Sequence, residues 1–245
     1  MDKKALLQGV PPIAVTDLVL GDGKVKRLSL SDQAYIAIKD AILRIALPPG
    51  VSVTEEQLAN LLGISKSPVR AALLHLQRDG LVSFSPYKGT IVSELREKDV
   101  RDLYEVRALL EPYCVKRLTP LLTEEDIEAV QGILDQASAA LSDGDIEVFS
   151  RHSSDFHSYI VNRLDNATII ASYNTISLQM ERLRHISKDG HPGRQETLDE
   201  EREIFSYMKA NDADTAASLM EKHILSYLEL FVEAIHNHRI EAIQH

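Results

Sequence analysis

Four polar side chains stand on helical stripes that are otherwise apolar. Arg107 shares its stripe with Leu103, Leu110 and Cys114, and His157 lies with Ile160, Val161 and Leu164. Glu201 accompanies Leu198, Ile204, Phe205 and Met208, and His223 accompanies Leu219, Met220, Tyr227 and Leu230. At the helical period such stripes face a core, and a charge carried inward needs a partner. One histidine so placed is ordinarily a hydrogen-bonded core residue. A guanidinium, a carboxylate and two imidazoles on four inward faces point instead to convergence on one cavity that holds a polar ligand.

A second set of residues is placed the opposite way. In LGISKSPVRAALLHLQRDGLV, residues 62–82, the apolar Val69, Ala72, Leu73 and Leu76 fall within roughly a 100° arc, while Lys66, Ser67, Arg70 and Ala71 point away from it. Cations and hydroxyls in the first turns of a short exposed helix are the groups that reach phosphates and base edges in a DNA groove. An exposed Lys or Arg alone is merely solvated, so the reading depends on what surrounds this helix.

The surroundings supply the rest of a DNA-reading module. Residues 1–26 read as an irregular arm, broken by Pro-Pro at 11–12 and Gly-Asp-Gly at 21–23. A helix from Ser31 carries Ala34, Ile38, Ala41, Ile42 and Ile45 until LPPG at 47–50 stops it. The next begins at Thr54, where TEEQ is a capping-box pattern, buries Leu58, Leu61 and Leu62, and ends at Gly63. In the third, Ser65 or Ser67 can cap, and Pro68 is tolerated because the first turn lacks internal N–H partners. LVSFS and GTIVS, joined through PYKG, read as a hairpin whose tip brings Lys88 to a phosphate and lets the Gly89 backbone approach closely. Three short helices and a hairpin make a winged helix-turn-helix over residues 27–94.

From residue 95 the pattern is helical, with breaks that predict six helices near 97–118, 123–142, 145–163, 166–188, 195–210 and 212–238. Short connections favour antiparallel packing. The expected fold is mainly α: a winged helix-turn-helix followed by a six-helix bundle over 95–238, expected to bind ligand and to carry dimerisation, and a tail over 239–245.

Charge divides at the same boundary. The chain of 245 residues has a formal net charge of -10. Residues 24–94 carry nine Lys or Arg against six Asp or Glu, whereas 95–245 carry sixteen against twenty-eight. A mildly basic module attached to an acidic one is a cue for nucleic-acid contact by one part only. With 44% hydrophobic residues the chain is an ordinary globular one, and no apolar run approaches a membrane span. The lone Cys114 among apolar neighbours reads as a buried thiol in a reducing compartment. A cytoplasmic location is expected.

LPPGVSVTEEQLANLLGISKSPVRAALLHLQRDGLVSFSPYKGTIV closely resembles the DNA-binding domain of GntR-type bacterial transcription regulators, whose elements it repeats in order. The resemblance implies that Ser65, Lys66, Ser67 and Arg70 contact DNA, with Gly89 in the wing. Lys66 stands where Arg is usual, and Lys lacks the fork for a bidentate base contact. Leu74 occupies a position that is often polar. DLYEVRALLEP, DFHSYIVNRLDN and DADTAASLMEKHI resemble the all-helical effector (FCD) domain of the FadR-like branch, so the likeness covers residues 30–238. Six helices would match the VanR-type subgroup.

In that family the bundle takes a small effector, often a carboxylic acid, and in many members a metal held by one Asp and three His. The resemblance makes His157 and His223 two of those histidines. Ser153 stands where the Asp is usual, and Glu201 where the middle His is usual, though a one-residue slip would put Arg202 there. His157, Glu201 and His223 would suit zinc, nickel or manganese. With Arg202 inward, the pocket would take an anion directly. Arg107, with Ser153 and Arg202 beside it, is the candidate for holding an effector carboxylate, since its planar fork matches that group.

The expectation is a ligand-responsive, sequence-specific DNA-binding regulator and not an enzyme: a homodimeric repressor on a palindromic operator, with an organic acid as effector. A metal-sensing regulator is one alternative. A helical metalloenzyme tethered to DNA is another, but no general base or nucleophile motif supports it.

Overall fold

The structure is a computed structural model that describes residues 18–19, 25–26, 28–86, 89–187 and 193–244. The chain forms two compact units, residues 1–95 and 96–245.

In the first unit the segment read as an irregular arm contains a short ladder. Strands β1 (Leu18–Val19) and β2 (Val25–Lys26) pair antiparallel, Leu18 with Lys26 and Val19 with Val25. Two-residue strands are too short for a period-2 pattern to reveal. Helix α1 (Leu30–Leu43) starts one residue before the expected Ser31, because Ser29 and Asp32 cap it reciprocally. Its buried stripe is Ala34, Ile38, Ala41 and Ile42. Ile45 falls beyond the helix with φ +60°.

After strand β3 (Ser52–Val53), Thr54 accepts from the Gln57 backbone N–H at 3.1 Å and Gln57 reaches back to the Thr54 N–H at 2.9 Å, opening α2 (Glu55–Leu62). Gly63, at φ +67°, ends it. Helix α3 (Lys66–Arg78) follows with Ser65 as its N-cap and Pro68 in its first turn. Val69, Ala72, Leu73 and Leu76 are buried together with Leu58 and Leu62 of α2. Strands β4 (Val82–Ser85) and β5 (Gly89–Val92) form the hairpin, and β3 joins it to give the antiparallel order β3-β5-β4, with Ser52 opposite Ile91.

The second unit is helical: α4 (Glu97–Leu118), a 3-10 turn (Thr119–Leu121), α5 (Glu124–Ser142), α6 (Ile146–Asn162), α7 (Ala167–Ile186), α8 (Arg194–Lys209), α9 (Ala213–Ser226) and α10 (Leu228–Gln244). Thr123, Asp145, Asn166 and Asp212 cap α5, α6, α7 and α9 with side-chain oxygens. Helix α4 packs against α9 and α10, α5 against α6, and α8 against α9.

The last expected helix, 212–238, is two. It breaks at Tyr227, where no Gly or Pro marks a stop; the Tyr227 hydroxyl is tied across to Thr197 and Glu200 of α8, each at 3.1 Å. Helix α10 then continues to Gln244, past the expected tail boundary at 238. The bundle thus has seven α-helices and one 3-10 turn among the described residues, and the six-helix count offers no ground for the VanR-type subgroup. No helix is long and apolar enough to cross a membrane among the described residues.

Candidate functional site

Helix α4 contributes Arg107 and Glu111, one turn apart, to the interior of the second unit. Arg107 Nε donates to Glu111 Oε1 at 2.6 Å, and the other Glu111 oxygen lies 2.5 Å from His157 Nδ1 on α6. Burial opposes the charge on Glu111, but Arg107 and His157 outweigh it and hold the carboxyl down at about 2. An ionised Glu111 obliges His157 Nδ1 to carry the proton, which leaves Nε2 free to face the cavity.

His223 on α9 is held in the same manner. Its Nδ1 lies 2.8 Å from Glu200 Oε2, and its Nε2 lies 3.4 Å from His157 Nε2. Burial lowers the His223 pKa, against the pull of Glu200. Two lone pairs aimed at one another at that distance require a cation between them, either a proton or a metal.

Glu201 on α8 completes the cluster. Ser153 Oγ donates to its Oε1 at 2.5 Å, and the same oxygen lies 3.8 Å from His157 Nε2. Its Oε2 is buried with no hydrogen-bond partner. Burial raises the carboxyl to about 8, with Ser153 pulling the other way. Donor atoms of His157, Glu201 and His223 all lie within 4.8 Å of one another. Two bare imidazole nitrogens and an unsatisfied carboxylate oxygen on one point fit a single divalent ion.

Arg202 does not enter this site. Its side chain is 40% exposed, with Asp199 at 4.0 Å, whereas Glu201 is fully buried beside Leu198, Ile204 and Phe205. The register is therefore the one that turns Glu201 inward, and the expectation of an effector contact from Arg202 is corrected.

Arg107, Ser153, His157 and His223 line a cavity of about 630 Å³. Its wall also carries Arg184 of α7, which is not among the residues singled out from the sequence. Burial, then the neighbouring Arg107 charge, lowers the Arg184 pKa. The rule that found Arg107 does not reach it, because the helical stripe that Arg184 shares with Tyr173 and Met180 also carries Ser177 and Glu181. Glu111 and Glu200 likewise escape the sequence reading. Glu111 was detectable as a buried acid one turn after Arg107, while Glu200 lies outside the apolar stripe and carries no such signal.

In the first unit Ser65, Lys66, Ser67 and Arg70 are all exposed. Both cations already hold acids of α2: Lys66 Nζ is 3.0 Å from Glu56 Oε2, and Arg70 grips both Glu55 oxygens at 2.8 Å. Lys66, Arg70, Phe84 and Gly89 border a surface hollow of about 410 Å³. Gly89 has φ +79°, and a Cβ there would lie 3.3 Å from the Val53 carbonyl oxygen, so glycine is required by the sheet itself. Lys88 lies outside the described residues.

A winged helix-turn-helix with cations on its recognition helix, followed by a helical unit around a charged cavity, defines the class of ligand-responsive DNA-binding transcription regulators. The chain belongs to the gntR family of bacterial regulatory proteins, whose model matches residues 30–92, and carries an FCD domain, matched over residues 102–226. It is a regulator and not an enzyme.

Among curated relatives, it is 28% identical over 210 residues to the "probable D-xylose utilization operon transcriptional repressor" of Paenarthrobacter nicotinovorans, covering 84% of this chain and 92% of that protein. It is 22% identical to the transcriptional repressor RspR of Escherichia coli K12, over 80% of this chain and 86% of that one. Among solved structures, a GntR regulator from Rhodococcus sp. RHA1 has TM-score 0.72 at 21% identity, covering 84% of this chain and 99% of that one. McbR/YncC of E. coli has TM-score 0.72 at 22%, covering 84% and 98%. The likeness to these two solved structures, at 21% and 22% identity, bears on the fold alone.

Proposed function

We propose that the protein is a cytoplasmic, homodimeric repressor that binds a two-fold symmetric operator through Ser65, Lys66, Ser67, Arg70 and Gly89, and that a small organic acid and a divalent metal bound in the helical unit alter its DNA affinity. The observation that carries the effector half is the cavity itself, lined by Arg107, Arg184, His157 and His223, with Glu201 beside the two histidines in a two-His, one-carboxylate cluster. His157, Glu201 and His223 would hold the metal, which would supply a fixed positive centre for a carboxylate or hydroxyl of the effector. Arg184 would pair with a second anionic group, and Arg107 would do so through whichever guanidinium nitrogens Glu111 leaves available. The names of relatives as repressors favour repression.

Two-fold symmetry follows from reading duplex DNA with one small module per subunit, since a second copy supplies the missing affinity and matches a palindromic half-site. The effector acts by population shift, binding one arrangement of the bundle more tightly than the other.

Selection of binding sites from random duplexes, with and without candidate metals and organic acids, tests this reading. Enrichment of a palindrome whose affinity changes on adding a carboxylate supports it. Absence of any enriched sequence, or an affinity indifferent to every acid and metal, overturns it. A metal-sensing version is favoured by the facing His157 and His223 nitrogens. It requires that a chelator alone change operator affinity.

A further inference from the structure

Helix α3 carries apolar groups on both of its sides. Val69, Ala72, Leu73 and Leu76 are buried, and at the helical period they occupy an arc of about 100°. Ser67, Arg70, Ala71, Leu74 and Arg78 are all exposed, and they occupy an arc of about the same width on the outer side. Leu74 stands in the middle of that outer arc, half exposed, while Leu73 and Leu76 are in the core. Ala71, three residues earlier, extends the apolar patch toward the tip of the helix. His75 is turned aside, its ring stacked on Tyr35 of α1 at 4.3 Å between centroids.

The charges around this patch say what covers it. Helix α3 contains Lys66, Arg70 and Arg78 and no Asp or Glu, so Ala71 and Leu74 lie between Arg70 on one side and Arg78 on the other. An apolar patch framed by cations suits a polyanion, and it is continuous with the groups that a winged helix-turn-helix presents to duplex DNA. In the major groove the base edges offer hydrogen-bond donors and acceptors and one apolar group, the 5-methyl of thymine. Alanine and leucine side chains can pair with no donor or acceptor, and covering one with them leaves a polar group unsatisfied. Against a thymine methyl the same side chains remove apolar surface from water on both partners.

We infer that Ala71 and Leu74 are specificity-determining residues that read thymine 5-methyl groups in the operator, beside the positions reached by Ser67 and Arg70. The inference rests on the operator-binding reading above and adds which base chemistry the second and third turns of α3 select. The division of labour follows from the side chains: Lys66 and Arg70 attract the polyanion and can contact polar atoms, while Ala71 and Leu74 discriminate between bases through a methyl group alone.

The test uses the full-length protein and the operator obtained by selection from random duplexes, synthesised once with thymine and once with deoxyuridine at every thymine. The exchange removes the 5-methyl groups and leaves every base-pairing group in place. In fluorescence anisotropy the wild type should bind the deoxyuridine duplex more weakly, by about 4-fold for each contacted methyl, the scale of one buried CH₂ group. Single exchanges should trace the loss to particular positions of the operator. Leu74→Ala should weaken binding to the thymine operator and leave binding to the deoxyuridine operator nearly unchanged, whereas a variant that had lost its fold would bind both less. Leu74→Met, which keeps an apolar side chain of similar volume, should retain most of the preference for thymine. A wild type that selects no operator overturns the operator-binding reading and this contact with it. A selected operator that contains no thymine or is bound equally in both forms, or a Leu74→Ala variant that keeps the full preference for thymine, overturns the methyl contact alone. If that variant also sediments differently from wild type, the patch belongs to a protein partner instead.

Discussion

The Nε2 atoms of His157 and His223 face one another at 3.4 Å, while the opposite nitrogens are held by two different carboxylates, Glu111 and Glu200. Neither ring is free to turn its proton inward without placing a bare nitrogen against a carboxylate. The pair is therefore arranged for a shared cation, and Glu201, with a buried oxygen that has no hydrogen-bond partner, stands beside it.

Metal-stripped protein should accordingly bind one zinc, nickel or manganese ion per chain in calorimetric titration. His223→Ala should abolish this. Glu200→Ala, which removes only the support of the ring, should weaken binding about 10–100-fold. Equal affinity in wild type and His223→Ala would place any bound metal elsewhere.

The protonation of Glu201 gives the metal-free protein a distinctive pH dependence. Its folded pKa, about 8, lies above the ordinary 4.5, so between these values the folded state holds a proton that the unfolded state has released. Stability from this group is full below 4.5 and falls as pH rises toward 8, by up to about 1.4 kcal/mol per unit. His223, whose pKa burial lowers below 6.5, works in the opposite direction, costing stability as pH falls below 6.5. Urea unfolding with chelator present should therefore show wild type losing stability relative to Glu201→Gln between pH 6.5 and 8. Parallel curves would mean that Glu201 is ionised in the folded protein.

Much of this arrangement was legible in the sequence because burial leaves a periodic trace. Arg107, His157, Glu201 and His223 each interrupt an apolar stripe, and the structure places all four in one cluster. The winged module was legible for another reason: caps and turns use particular residues, as at Thr54, Gln57 and Gly63. Partners set by tertiary approach left weaker traces. Glu200 reaches His223 from outside the apolar stripe of α8, β3 exists only because β5 pairs with it, and the break at Tyr227 falls where no Gly or Pro marks it. The choice between Glu201 and Arg202 turns on a single residue of register, which motif counting alone leaves open and packing of Leu198, Ile204 and Phe205 decides.

Arg184 should be the sharper probe of effector charge. Arg107 is already engaged by Glu111, so removing it disturbs the histidine support as well. Arg184→Ala should fold normally and lose about 10–100-fold in affinity for an organic acid found by thermal-shift screening, the scale of a charge-assisted hydrogen bond. An acid that stabilises Arg184→Ala as much as wild type would remove Arg184 from the effector contact.

The bidentate grip of Arg70 on Glu55 sets two opposing effects at the DNA face. The carboxylate orients the guanidinium, which favours selective contact, but it also brings a negative charge toward phosphate. Replacing it separates them. Glu55→Gln should bind random duplex more tightly, because one repulsion is gone, while discriminating less between operator and random sequence, because the fork is no longer fixed. Arg70→Ala should lose about 1–3 kcal/mol of operator binding. Lys66→Ala should weaken both duplexes together and lower the dependence on salt by about one phosphate contact. Fluorescence anisotropy with operator and scrambled duplexes over a salt series reads all three. If Arg70→Ala bound both duplexes as wild type does, the exposed face of α3 would not be the reading surface, and the ion pairs with Glu55 and Glu56 would serve only to fasten α2 to α3.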